Sequence, residues 1–378
     1  MSDLTPKEIA DAVERHLAAP EVSVADYLRT LMSQAASEIK GRCKLYLDTR
    51  YWVFLRDAEL GRAKKPEHEA ILLALRDRVA SGVAICPVSD VAFMEMTAQT
   101  DAETRMTTAK LWDELSLGVS LQTEQGRVRT ELEQYYMYPS ADDVPIPLRD
   151  LVWTKPCFVL GATVPHFDED SADVNEAFRK ASLDALWATT FSELANESSA
   201  VLAMSERFQR TADAINAEMR KFQHEIPSFE KAFLVEVSGA INANQKLLAE
   251  VVLQQFIRQG NSLEGMPERQ VRTALKTKTS ALTNVFRLRR DLMARRLPTL
   301  YIHAMCHAAI RMDVKRKING NFLRDIHHGN AGVAYHDAVF TEKPLKVLLT
   351  AGNVTADKTF GCRVMSDERE VRAYLEGM

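Results

Sequence analysis

Between residues 171 and 313 the sequence contains almost no strand-like run and few Gly or Pro. On either side, short apolar runs alternate with helical periodicity. That asymmetry restricts the fold more than any single motif does. A run such as AFRKASLDALWATTFSELANESSAVLAMSERF (177–208) repeats its apolar residues at helical spacing. Strands that alternate with helices predict a parallel sheet with crossover helices. The pattern therefore predicts an α/β fold, a parallel sheet with flanking helices, interrupted by a large all-helical insertion.

The first forty residues read as two helices. Thr5-Pro6-Lys7-Glu8 forms a capping box with Pro at the first helical position, and Ser23-Val24-Ala25-Asp26 opens the second helix in the same way. KLYLD (44–48) is the first strand, with a helix from about Thr49. VAICPVS (83–89) is the second, followed by DVAFMEMTAQ, and GVSLQT (118–123) reads as a third. Strand signals return only at DAVFT (337–341) and GCRVM (361–365). The predicted organisation is N-terminal helices over 1–40, a first α/β half over 41–140, a mainly helical insertion over 141–313 and a second half over 314–378. The two halves are expected to lie side by side.

Composition excludes several classes. With 378 residues, 46% hydrophobic, the chain can bury a substantial core. A net charge of −4 gives no whole-chain attraction to nucleic acid, so such binding requires a local patch. Cys43, Cys86, Cys157, Cys306 and Cys362 are odd in number and form no CxxC pair. They read as reduced thiols of a cytoplasmic protein, not as a disulfide framework. No stretch of about 18 apolar residues is present, so no membrane span is expected. The N-terminus lacks the basic-then-apolar order of a signal peptide.

The carboxylates fall in a suggestive order. Asp48 ends the first strand, and Glu95 lies in the helix after the second. Asp325 sits in the helix leading to DAVFT, where Asp337 opens the strand and Glu342 follows it. In a parallel sheet the C-terminal strand ends share the edge where open α/β proteins bind ligands. Carboxylates gathered there would repel one another unless a cation neutralised them, and an all-oxygen set suits Mg²⁺ or Mn²⁺. Such ions activate water and stabilise the leaving oxygen of a phosphodiester. Taken alone, an Asp at a strand end is more often a cap or turn residue and Glu95 a solvated helix position, so only the joint pattern points to a site.

LYLDTRYW, PVSDVAFMEM, LRDIHH and DAVFTEK, in that order, resemble the PIN-like nuclease family, and the long insertion marks a larger relative. The resemblance implies a metal-dependent endonuclease that hydrolyses phosphodiester bonds, in RNA more readily than DNA. It implies Asp48, Glu95, Asp325 and Glu342 as catalytic metal-site residues, with Asp337 as a fifth member and Thr49 in support. Arg50 stands where members often carry Asn, and a guanidinium there grips a phosphate or fills the metal's place. Haloacid dehalogenase-like phosphotransferases also place an Asp after their first strand, but they need a second Asp two positions on, where this chain has Arg50. The alternative function is a non-catalytic scaffold that binds nucleic acid or a protein partner through the insertion, and an inhibitory partner is compatible with either.

Other candidates carry two readings each. His303 and His307, at i, i+4, match a zinc spacing or a packed apolar helix. His328 shares a helical face with Asp325, where it or His327 could orient the carboxylate or contact a phosphate. From Arg269 to Arg296 nine basic residues face one acid, Asp291. Such a stripe is a phosphate-binding surface or a solvated face paired with FDEDSAD near residue 170. Arg311, Lys315, Arg316 and Lys317 lie nearer Asp325 and are the better placed to hold substrate. Tyr51, Trp52 and Phe54 stack bases or pack a core.

Overall fold

The computed structural model describes residues 6–140, 143–161, 164, 171–197, 204–222, 227–313 and 318–378. Helices α1 (Pro6–Leu17) and α2 (Val24–Glu38) precede strand β1 (Cys43–Leu47). Then come α3 (Thr49–Glu59), α4 (Pro66–Ala80), β2 (Ala84–Ile85), α5 (Asp90–Thr97), α6 (Ala102–Ser116) and β3 (Ser120–Leu121). Helix α7 (Glu124–Met137) leads to β4 (Trp153–Thr154), α8 (Ala172–Trp187) and α9 (Phe191–Glu197). The helical stretch continues through α10 (Met204–Phe222), α11 (Phe229–Ala243), α12 (Gln245–Arg258), α13 (Glu268–Leu288), α14 (Arg290–Arg296) and α15 (Pro298–Met312). Last are α16 (Gly320–Gly332), β5 (Ala338–Phe340), α17 (Lys343–Thr350), α18 (Ala356–Phe360), β6 (Arg363–Met365) and α19 (Glu368–Glu376).

The chain is thus a mixed α/β protein in which helices predominate. All five strands read from the sequence are present, most of them shorter than their apolar runs. β2 stops at Ile85 because Pro87 has no N–H for a ladder. Cys86 and Val88 instead donate to the Leu115 and Val119 carbonyls, at 2.9 and 3.2 Å. Strand β4 was not expected, and it lies inside the segment read as an insertion.

Two compact units divide the chain: Met1–Thr123 with Arg149–Val201 and Ser366–Met378, and Glu124–Leu148 with Leu202–Met365. These bounds differ from the four sequence segments, because periodicity marks elements whereas packing decides which of them belong together. In the first unit β1 and β2 pair in parallel, Cys43 against Ala84, and β3 pairs antiparallel with β4. A parallel bridge from Val88 to Ser120 joins the two pairs. Lys44 to Leu47 are all buried, as a parallel strand covered on both faces requires. Trp52 and Trp112 meet edge to face at 6.3 Å, and Phe191 packs on Trp112 at 5.2 Å. Helix α19 lies on α4, with Val371 and Leu375 fully buried and Arg78 Nε donating to the Leu375 carbonyl at 2.9 Å. Buried Lys180 donates to the Ala19 and Val22 carbonyls, satisfying acceptors beyond the end of α1.

In the second unit β5 and β6 pair in parallel, Ala338 against Arg363 and Phe340 against Met365. The largely buried α15 packs against α11, α7 and α16. Buried Arg296 donates to the carbonyls of Gln134, Tyr135 and Tyr138 at 3.1, 3.2 and 2.5 Å. These are C-terminal carbonyls of α7 and its exit, where a cation also meets the negative helix end.

Candidate functional site

In the first unit the chain leaves β1 at Leu47 and turns straight into α3. Asp48 is the N-cap, and its carboxylate accepts from Tyr51 N at 3.3 Å while only 5% of the residue is exposed. The cap reading therefore holds for this residue. After β2, Ser89 caps α5, accepting from Ala92 N at 3.3 Å, and its hydroxyl also meets Tyr46 Oη at 2.9 Å. That link between β1 and the start of α5 sets the register of the helix. It places half-buried Glu95 where the Thr49 hydroxyl donates to its carboxylate. The motif residues Asp48, Thr49 and Glu95 are therefore brought together from two strand–helix turns.

Arg50 Nη2 forms an ion pair with Glu368 Oε1 at 2.9 Å, and Lys65 joins the same oxygen at 3.2 Å. The guanidinium also lies 5.0 Å from the centre of the Phe54 ring. Arg50 is thus anchored to the base of α19. Tyr51 and Trp52 are fully buried and pack the core, so the base-stacking reading does not hold for them. Phe54 stacks on His68 at 4.0 Å.

The second unit carries the remaining acids. Asp325 is half-buried on α16, with His328 buried one turn later on the same face. The Asp337 carbonyl accepts from Arg363 N at 3.0 Å where β5 and β6 begin. Glu342 is exposed and is the N-cap residue of α17, without a side-chain cap bond.

An unexpected polar cluster lies along α7 in this unit. His327 Nδ1 is 2.6 Å from Glu124 Oε2, and His303 Nδ1 is 3.8 Å from Oε1. His307 stacks on His303 at 4.3 Å, and Phe208 meets the His327 ring edge-on at 5.2 Å. Burial favours the neutral Glu124 acid, but His327 and His303 outweigh it and hold the carboxyl well below its usual range. Burial first, and then neighbouring imidazoles, pull His303 and His307 below the ordinary histidine value of 6.5. A depressed histidine binds protons in the unfolded chain before the folded one, so its contribution to stability is lost as pH falls through about 6.5. The His307→Gln variant is therefore expected to lose less stability than wild type between pH 7 and pH 5, measured by urea unfolding. Equal losses would show that His307 does not titrate in this way.

Further along the same face, fully buried Glu131 accepts from Thr299 N at 3.2 Å and from the Tyr335 hydroxyl. Burial pushes its carboxyl up to about 7 against the pull of those donors and of Arg127. Glu124, Arg127 and Glu131 were not singled out from the sequence. Their spacing, i, i+3 and i+7, places them on one helical face, and a charged stripe among apolar neighbours was the available signal.

The basic residues divide. Arg311 Nε is held by Glu236 Oε1 at 2.5 Å with little exposure, which commits it inside the unit. Arg290 pairs with Glu230 at 3.1 Å and lies 4.3 Å over Phe233. Arg296 is buried. Lys315, Arg316 and Lys317, and most of the FDEDSAD stretch, lie outside the described residues. Among the described residues no group of three or more His, Cys, Asp and Glu side chains is arranged to hold a metal ion, and no helix is long and apolar enough to cross a membrane. The chain matches no family model, no curated protein and no solved structure.

Proposed function

We propose that the chain is a metal-dependent endonuclease acting on RNA. The observation that supports this best is the Thr49 hydrogen bond to Glu95 beside the buried carboxylate of Asp48. Glu95 accepts from the hydroxyl of Thr49, the residue next to Asp48, so two acids far apart in sequence are linked through adjacent residues after two parallel strands, where ligands of α/β folds bind. The donor set is all oxygen, as Mg²⁺ and Mn²⁺ require, and Asp48 and Glu95 would hold the ion. When bound, such an ion would activate water and offset charge on the leaving oxygen of the phosphodiester. Thr49 fixes the Glu95 rotamer, and the Tyr51 amide fixes that of Asp48, so neither carboxylate must be ordered when the ion arrives.

The test is incubation of the purified chain with labelled single-stranded RNA. Cleavage is expected with Mn²⁺ and none with a chelator. Intact RNA under both conditions would favour the second reading, a non-catalytic scaffold that binds nucleic acid or a protein partner. The exposed basic face of α13 is the observation that favours that reading.

A further inference from the structure

We infer that the outer face of α13 is a docking surface for single-stranded RNA, a reading that rests on the proposed action on RNA. At 3.6 residues per turn, Arg269, Arg272, Lys276 and Arg287 fall within about 60° of one another around the helix axis. All four are exposed, and from Arg269 to Arg287 they span about 27 Å at 1.5 Å per residue. Val271, Leu275, Leu282 and Phe286 form a second stripe centred about 110° further round the axis, where Leu282 and Phe286 are buried. The apolar side thus holds the helix to its unit and the basic side is turned outward.

One cation of this face has an ion-pair partner, on the same helix. Arg272 pairs with Glu268 at 2.6 Å, in a pair exposed to solvent. Among the described residues, Arg269, Lys276, Arg287 and the adjoining Arg289 form no ion pair. Arg290 and Arg296, by contrast, are bound to Glu230 and to backbone carbonyls. Arg290 and Arg296 are thus structural members of the nine-cation stripe, whereas Arg269, Arg272, Lys276 and Arg287 form an exposed row in a chain whose net charge is −4. Thr273, Thr277, Thr279 and Thr283 donate their hydroxyl hydrogens to carbonyls four residues back, so the charged donors this helix offers outward are its Arg and Lys side chains. A shallow concavity lined by Pro267, Arg269, Gln270, Thr273 and Ala274 begins the row.

Charge decides the occupant. A linear row of cations with no acid between Arg269 and Arg287 complements a phosphate backbone. A helix that lies in a membrane surface needs a broad exposed apolar face next to its cations, whereas here Leu282 and Phe286 are buried, Val271 and Leu275 are half-buried and Leu288 alone is a large exposed apolar side chain of α13. The row makes no provision for base edges, so it positions a strand without reading its sequence.

The experiment measures binding of the full chain to a labelled oligouridylate in chelator across a range of salt, so that cleavage cannot intervene. The triple variant Arg269→Gln, Lys276→Gln, Arg287→Gln should bind more weakly. Its slope of log affinity against log salt should be shallower by about 2, at about 0.7 per phosphate contact on a single strand. Unchanged far-ultraviolet circular dichroism would confirm that the exposed substitutions leave the helix intact. An unchanged slope and affinity would overturn the inference. So would equal dependence on these cations for a polyglutamate peptide bound more tightly than the RNA, which would assign the face to an acidic protein. Loss of binding in the variant with no cleavage by wild type would sink the nuclease reading and leave this one standing.

Discussion

Replacing Asp48 with Asn is expected to lower Mn²⁺-dependent cleavage of single-stranded RNA by about 10³-fold, the scale of losing one group that stabilises transition-state charge. The substitution is nearly isosteric and keeps an oxygen that can accept the Tyr51 amide, so the start of α3 should survive. It removes the negative charge from a residue that is only 5% exposed. A cap that served folding alone would show the opposite pattern, with activity kept and a modest loss of stability, about 1 kcal/mol or less. Parallel measurement of cleavage rate and melting temperature separates the two. Cleavage unchanged in Asp48→Asn would remove Asp48 from the site.

The largest effect on stability is expected at Glu131. Glu131→Ala should cost about 3–5 kcal/mol, the range for breaking a buried charged network by removing one partner. Its loss leaves the Thr299 amide and the Tyr335 hydroxyl without this acceptor in a buried position, and each such group costs about 1–3 kcal/mol. Arg127, itself 1% exposed, also loses a nearby countercharge. Glu131→Gln keeps an acceptor and should cost less. The carboxyl is raised to about 7 in the fold, above the ordinary 4.5 of the unfolded chain. Its contribution is thus full below about 4.5 and declines as pH rises through 7. Wild type should lose stability relative to Glu131→Gln between pH 5 and pH 8 in urea unfolding. A Glu131→Ala cost below about 1 kcal/mol would show that the network does not hold α7 to α15.

Several of these features were legible in the sequence, and the reasons others were not are physical. Asp48 and Glu95 were visible because an apolar run that stops at a carboxylate, and a Ser cap one helical stretch before a Glu, are local patterns. The strand at KLYLD was legible because every residue from Lys44 onward is buried, which selects an unbroken apolar run. Lys44 fits only because its Nζ reaches the Ile39 and Arg42 carbonyls, both at 3.3 Å. β4 is two residues long and too short for any period to register. Buried Lys180, Arg296 and Glu131 look like solvated positions in sequence, because the partners that justify their burial are tens to hundreds of residues away. The exposed and engaged members of the basic stripe are likewise identical in composition. Only the position of Glu230 and the α7 carbonyls tells them apart.

The central claim, a carboxylate site that binds a divalent ion, is tested most directly without any choice of RNA. Mn²⁺ is titrated into the full chain while thermal unfolding is followed, for wild type and for Asp48→Asn. A site that binds only the folded chain adds about 2.7 kcal/mol at 100 times its dissociation constant. The account predicts a melting temperature that rises and saturates in wild type and stays flat in Asp48→Asn. A flat wild-type titration, or an equal rise in both, would contradict it.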